Sequence, residues 1–175
     1  MPPDYSQRAA PIPALDSISA TELFQQMFDK ADMGMALAEV NTRRFLRVNA
    51  KLCEITGYSE SELLNTTAIA LTHPDDRATD TASFERFARG ESDRRVVEKR
   101  YLRRDGTSVW VRITTTIIDF GHVRCSFGIT EDIAARKAAF SALEAVERRT
   151  NQFLAMLGHE PVSYTHLTLP TNREV

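Results

Sequence analysis

The sequence predicts an α+β fold: one sheet assembled from two separated groups of strands, with helices gathered between them. Three observations carry that expectation. Two short apolar runs, MALAEV and RFLRV, flank the turn-prone Asn41-Thr42-Arg43. Farther on, VVEKRYLRR and TSVWVRITTTIIDF are rich in β-branched and aromatic residues and flank Asp105-Gly106, a strong hairpin signal. The stretch between these groups carries helix caps and helix stops instead of alternation.

Residues 1–18 open with MPPDYSQRAAPIPALD, which holds four of the seven prolines and no periodicity, and read as a flexible leader. Ser19-Ala20-Thr21-Glu22 resembles a capping box, and Leu23, Phe24, Met27 and Phe28 fall on one face of the helix it would start. After the first hairpin come two brief helices. AKLCEIT stops at Gly57, and Ser59-Glu60-Ser61-Glu62 caps the next one. Pro74 suits a first helical position, Asp75 and Asp76 suit the positive first turn, and the helix they begin should end near Gly90 with Phe84 and Phe87 toward the core. HVRCSFGIT supplies a third strand to the second group after Gly121. From Asp132 the chain turns helical and charged, and Leu143, Val146, Thr150, Phe153 and Leu157 alternate by three and four. That is a coiled-coil-like seam with one polar interruption.

Length and charge bound the functional classes. A chain of 175 residues with 42% hydrophobic content buries one moderate core, so one domain with appendages is expected. The 22 basic and 24 acidic residues nearly cancel, leaving no footprint for nucleic acid or an anionic membrane. Cys53 and Cys125 stand far apart without metal-ligand spacing, so no zinc site or disulfide framework is expected and a reducing cytoplasm fits best. No run approaches the roughly 20 apolar residues of a membrane span.

The segment from about Glu22 to Ile133 resembles a PAS domain with its C-terminal PAC motif. VNAKLCEITGYSESELL, THPDDR, EKRYLRRDGTSVWVRITTTII and SFGITEDIAARK carry the resemblance, in family order and at family spacing. It implies a five-stranded antiparallel sheet with helices on one face, a sensory pocket between them that can hold a small-molecule ligand, and signalling through the exit helix. A second resemblance covers RRTNQFLAMLGHE, which looks like the start of the dimerisation and phosphoacceptor helix of a sensor histidine kinase. That resemblance places His159 at the phosphoacceptor position and Glu160 beside it, as acid/base or orienting partner.

The chemistry suits those residue types. An imidazole titrating near ~6.5 offers a neutral attacking nitrogen at cytoplasmic pH, and an adjacent carboxylate can hold the other ring N–H. Phosphoryl transfer further requires ATP and Mg²⁺, and no Gly-rich nucleotide loop occurs here. ATP and Mg²⁺ are therefore expected only in an absent kinase domain, and this chain alone should be inactive. Further implied partners are a second copy through the C-terminal helix and a response regulator.

Other features weigh toward plain readings. His73 and His122 read as capping or exposed residues. Cys53 reads as a buried structural cysteine, since the Asn-Cys-Arg-Phe-Leu stretch of flavin-binding photoreceptors is missing; haem is disfavoured because DDRATDTASFERFARG lacks a histidine. Trp110, Phe84, Phe87 and Phe127 read as core, and EKRYLRRDG as a solvated strand edge and hairpin tip. Pro161 would break a helix that the kinase family continues. PVSYTHLTLPT resembles a sequencing-library transposase adapter read as codons, so residues 161–175 are expected to be non-native or, failing that, a disordered tail. The expected organisation is a leader (1–18), a PAS/PAC unit (19–133), a signalling helix with the truncated start of a phosphoacceptor helix (134–160), and the tail. A stand-alone PAS binding or interaction module without catalysis is the alternative.

Overall fold

The computed structural model describes residues 18–157, and the chain divides into two units after Ala135. The first unit is built on a five-stranded sheet: β1 (Gly34–Glu39), β2 (Phe45–Val48), β3 (Arg94–Leu102), β4 (Ser108–Asp119) and β5 (Arg124–Asp132). Their spatial order is β2-β1-β5-β4-β3, every neighbouring pair antiparallel. The last strand thus inserts beside the first, joining the N-terminal hairpin to the C-terminal meander. The expected α+β architecture, with helices between two strand groups, is what forms.

Helices α1 (Ala20–Asp29), α2 (Ala50–Thr56), α3 (Glu60–Leu64), α4 (Ala68–Leu71) and α5 (Arg77–Ala88) complete the unit. Local chemistry sets their ends. Ser19 accepts from the Glu22 amide at 3.1 Å, and Ser59 and Glu62 form a complete reciprocal capping box. Gly57 ends α2 at φ 76°, a left-handed conformation that costs glycine nothing. The helix α4, capped by Thr67, is an element the sequence reading did not separate; at four residues it is too short to show a period. Arg77 donates to its carbonyls at Thr72 (2.9 Å) and Ala70 (3.2 Å).

The core lies between the sheet and these helices. Val109, Val111 and Ile113 alternate inward along β4, facing Leu52 and Ile55 of α2, Leu63 of α3 and Leu71 of α4. The strand β1 contributes only small residues, Gly34, Ala36 and Ala38, which lets α2 approach closely. A Cβ on Gly34 would stand 3.1 Å from Leu52 Cδ1 and 3.3 Å from Leu52 Cα.

Asn49, 1% exposed, knits three elements together. Its Oδ1 accepts from the amides of Met35 (2.8 Å) and Leu52 (3.0 Å), while its Nδ2 donates to the carbonyls of Phe28 (3.0 Å) and Met33 (2.9 Å). All the hydrogen-bonding capacity that a buried amide needs is met.

The helix α6 (Ala134–Leu157) begins within the first unit and supplies the described part of the second. Its start is pinned: Asp132 Oδ1 accepts from the Ala134 amide at 2.8 Å, and buried Ile133 donates its amide to the Trp110 carbonyl at 2.9 Å. Along it, Leu143, Val146, Thr150 and Phe153 are all exposed, and the Thr150 hydroxyl turns back to the Val146 carbonyl at 3.1 Å. No described helix is long and apolar enough to cross a membrane.

Candidate functional site

The strand β3 is an edge strand whose odd-numbered residues face the helices: Arg95, Val97, Lys99 and Tyr101. Opposite them, α5 presents Asp80, Phe84 and Phe87 at helical spacing on one side. Two cations and a carboxylate are thereby buried together, with Arg95, Lys99 and Asp80 at 7%, 6% and 8% exposure.

The three form one network. Lys99 Nζ lies 2.9 Å from Asp80 Oδ2 and donates to Thr72 Oγ1 at 3.0 Å. Arg95 pairs with Asp80 Oδ1, donates to the Asp80 carbonyl at 3.2 Å and to Ser83 Oγ at 3.0 Å. Burial acts to raise the Asp80 carboxyl, but Lys99 and Arg95 outweigh it and hold it below the ordinary aspartate value. For Lys99 burial dominates and pushes the ammonium below the ordinary lysine range; Asp80 opposes this, while Arg95 and Arg43 reinforce it. Burial likewise raises the Tyr101 phenol.

Beside this network lies an interior cavity of about 60 Å³. Arg43, Asp80, Arg95 and Lys99 line it together with apolar Ala36, Ala38, Phe45 and Ile113 and the hydroxyl-bearing Tyr101, Thr115, Ser126 and Thr130. Arg43 reaches it from the first hairpin, its guanidinium 4.4 Å over the Phe84 ring and its own backbone at φ 58°. A larger groove of about 680 Å³ runs outside, between α5 and β3, and shares Asp80, Arg95 and Lys99 with the cavity. The ion network is therefore the partition between an inner and an outer space.

This corrects the reading of EKRYLRRDG as solvated throughout. Glu98 is exposed, but Lys99 is buried because strand neighbours point to opposite faces. Arg100 is half-buried: Asp76 accepts from its amide at 2.8 Å and from its guanidinium at 2.7 Å and 3.1 Å. Since β3 is an edge, the 3-10 turn Pro74–Asp76 thus covers part of its free hydrogen-bonding side. His73 caps that turn, accepting from the Asp75 amide at 3.4 Å, and His122 is exposed, as expected. Cys53 is half-buried rather than buried, and Cys125 is the fully buried thiol. Phe84 lines the cavity and Phe87 is core, whereas Trp110 is exposed on the other sheet face beneath Arg100, 5.7 Å from its ring, and Phe127 is half-buried. His159, Glu160 and the adapter-like tail lie outside the described residues.

Sequence reasoning did not single out Asp80, Arg95, Lys99 or Arg43. A signal existed in the spacing: Arg95 and Lys99 share the parity of Tyr101, and Asp80 precedes Phe84 and Phe87 by four and seven. The adjacent apolar pair Val96-Val97 blurs that parity, so the strand alone does not declare its inner face.

Residues 45–129 match the protein family described as the PAS fold. The chain carries a PAS domain. A PAS domain from Colwellia psychrerythraea superposes with a TM-score of 0.61 at 18% identity, covering 67% of this chain and 99% of that one. Among curated relatives, a probable diguanylate cyclase of Escherichia coli K12, DgcE, is 33% identical over 95 residues, 54% of this chain and 8% of its own length. The sensor histidine kinase TmoS of Ectopseudomonas mendocina is 22% identical over 156 residues, 82% of this chain and 16% of its own length. The chain thus spans a small fraction of these relatives, and what they share with it is the PAS sensory unit.

Proposed function

We propose that this PAS domain is the signal-sensing part of a two-component sensor histidine kinase, coupled through α6 to ATP-dependent autophosphorylation of His159 and relay to a response regulator. The observation that carries the reading is the exit helix. It leaves β5 through a pinned junction and displays an exposed apolar seam, Leu143, Val146 and Phe153, of the kind a partner helix covers. A second copy is the partner that a parallel pairing of such helices requires, and FLAML, which GHE follows in the sequence, lies on that same helix.

A path between sensor and helix supports the coupling. Arg103 donates to the Ile55 carbonyl at the end of α2 (3.0 Å) and reaches Asp132 Oδ2 (3.5 Å), the residue that caps α6. A shift of α2 against the cavity would alter that cap. Glu160 would hold the second ring N–H of His159, and the ATP-binding domain would lie in the longer parent. A second reading, a PAS module serving a different output, is favoured by the higher identity to the diguanylate cyclase relative, whose match covers only 54% of this chain.

Labelling the restored full-length protein with ATP, beside a His159→Gln variant, tests the reading. Acid-labile phosphate on the wild type and none on the variant is expected. Equal labelling of both, or no labelling in a parent that forms cyclic dinucleotide instead, would refute it.

A further inference from the structure

The cavity is unbalanced in charge: three cations, Arg43, Arg95 and Lys99, line it against one carboxylate, Asp80, among the described residues. Asp80 is already spent on both Arg95 and Lys99. An interior with surplus buried positive charge is costly unless an anion completes it. We propose that the cavity binds a short-chain monocarboxylate, its carboxylate on Lys99 and Arg95 and its short alkyl end against Ala36, Ala38, Phe45 and Ile113.

Size and shape support this class. About 60 Å³ admits a molecule of a few non-hydrogen atoms and falls far short of the ~300–1,000 Å³ of sites for drug-sized ligands. A guanidinium suits a planar carboxylate because it can donate two parallel hydrogen bonds. Burial is the main cause that lowers Lys99, with Arg95 and Arg43 adding to it, while Lys99 and Arg95 hold Asp80 ionised against its burial.

The geometry also supplies an entrance and a response. The outer groove and the cavity share the Asp80-Arg95-Lys99 partition, so a ligand arriving between α5 and β3 meets the two cations first. Its carboxylate competes with Asp80 for them, and a displaced Asp80 loosens α5 from β3. This deepens the sensor reading above by naming the chemistry sensed, and it rests on that reading only for what the binding event means.

Calorimetric titration of the 175-residue chain with sodium acetate and propionate, alongside thermal unfolding followed by the single tryptophan, tests it. Acetamide, propionamide, phosphate and sodium chloride at matched ionic strength are the controls. Saturable binding and a raised Tm are expected with the carboxylates alone. Lys99→Met should weaken binding at least about tenfold, and Asp80→Asn should tighten it by roughly the same factor because the internal competitor is gone. Tightening is the opposite of what general damage produces. Amides or phosphate matching the carboxylates, no saturable binding, or an Asp80→Asn chain that binds no tighter would overturn the proposal. No ATP or downstream domain enters these measurements, so failure of the kinase reading leaves their outcome intact, and the reverse holds.

Discussion

Replacing Asn49 with leucine keeps the volume of the side chain and removes four hydrogen bonds at once. Two backbone amides, of Met35 and Leu52, and two carbonyls, of Phe28 and Met33, lose that partner. At a net ~1 kcal/mol per bond the loss sums to about 4 kcal/mol, and backbone groups left buried and unpaired push it upward. A domain is typically stable by only about 5–15 kcal/mol, so the substitution consumes a large share. Denaturant unfolding followed by Trp110 reads it directly, because Trp110 lies in β4 of the same unit. An unchanged m-value with a lowered midpoint is expected. Asn49→Asp separates the two sides of the amide: it retains the acceptor, but an ionised carboxylate would face the Phe28 and Met33 carbonyls. Burial and the two facing carbonyls raise the folded-state pKa of the new group against the two amides that still donate to it, so its stability deficit should be smaller at pH 5 than at pH 7. A loss under about 1.5 kcal/mol for Asn49→Leu would refute the argument that this side chain joins α1, β1 and α2.

Gly34→Ala should destabilise the fold by about 1–3 kcal/mol, since one contact of the new methyl is the Leu52 Cα, which cannot rotate away; a change within 0.5 kcal/mol, roughly the scatter of a surface substitution, would count against the close approach of α2. Asp80→Asn should cost about 3 kcal/mol or more at pH 7 by leaving Lys99 and Arg95 without their carboxylate. Because the folded-state pKa of Asp80 is depressed, its contribution is fully present above the unfolded value of about 3.9 and is lost as pH falls through the folded value. The stability gap between wild type and Asp80→Asn should therefore be constant near neutrality and close below about pH 4; a gap that persists unchanged into acid would refute the pairing.

Much of the fold was legible because its signals are local. The capping residues Ser19 and Ser59, the stop at Gly57 and the hairpin at Asp105-Gly106 each act within a few residues of their own position, and each appears where the sequence places it. The helix α4 escaped because four residues carry no period. The ion network escaped for a different reason: its members come from α5 and β3, and nothing in RRVVEKRYL declares which face is covered until α5 lies across it.

By itself, then, the sequence determined the order of strands and of the helices other than α4, the turns and the amphipathic exit helix, which follow from short-range sterics, capping and periodicity, while the PAS family was implied by the resemblance of its motifs. Tertiary structure alone decided that Lys99 and Arg95 are interior residues, that Asp80 is their partner, and that Asn49 is a joint rather than a helix cap only. The physical reason is that burial is a property of what packs against a residue. A lysine and an arginine two turns of strand alternation apart look like surface until the opposing helix removes their water and leaves one carboxylate to hold them.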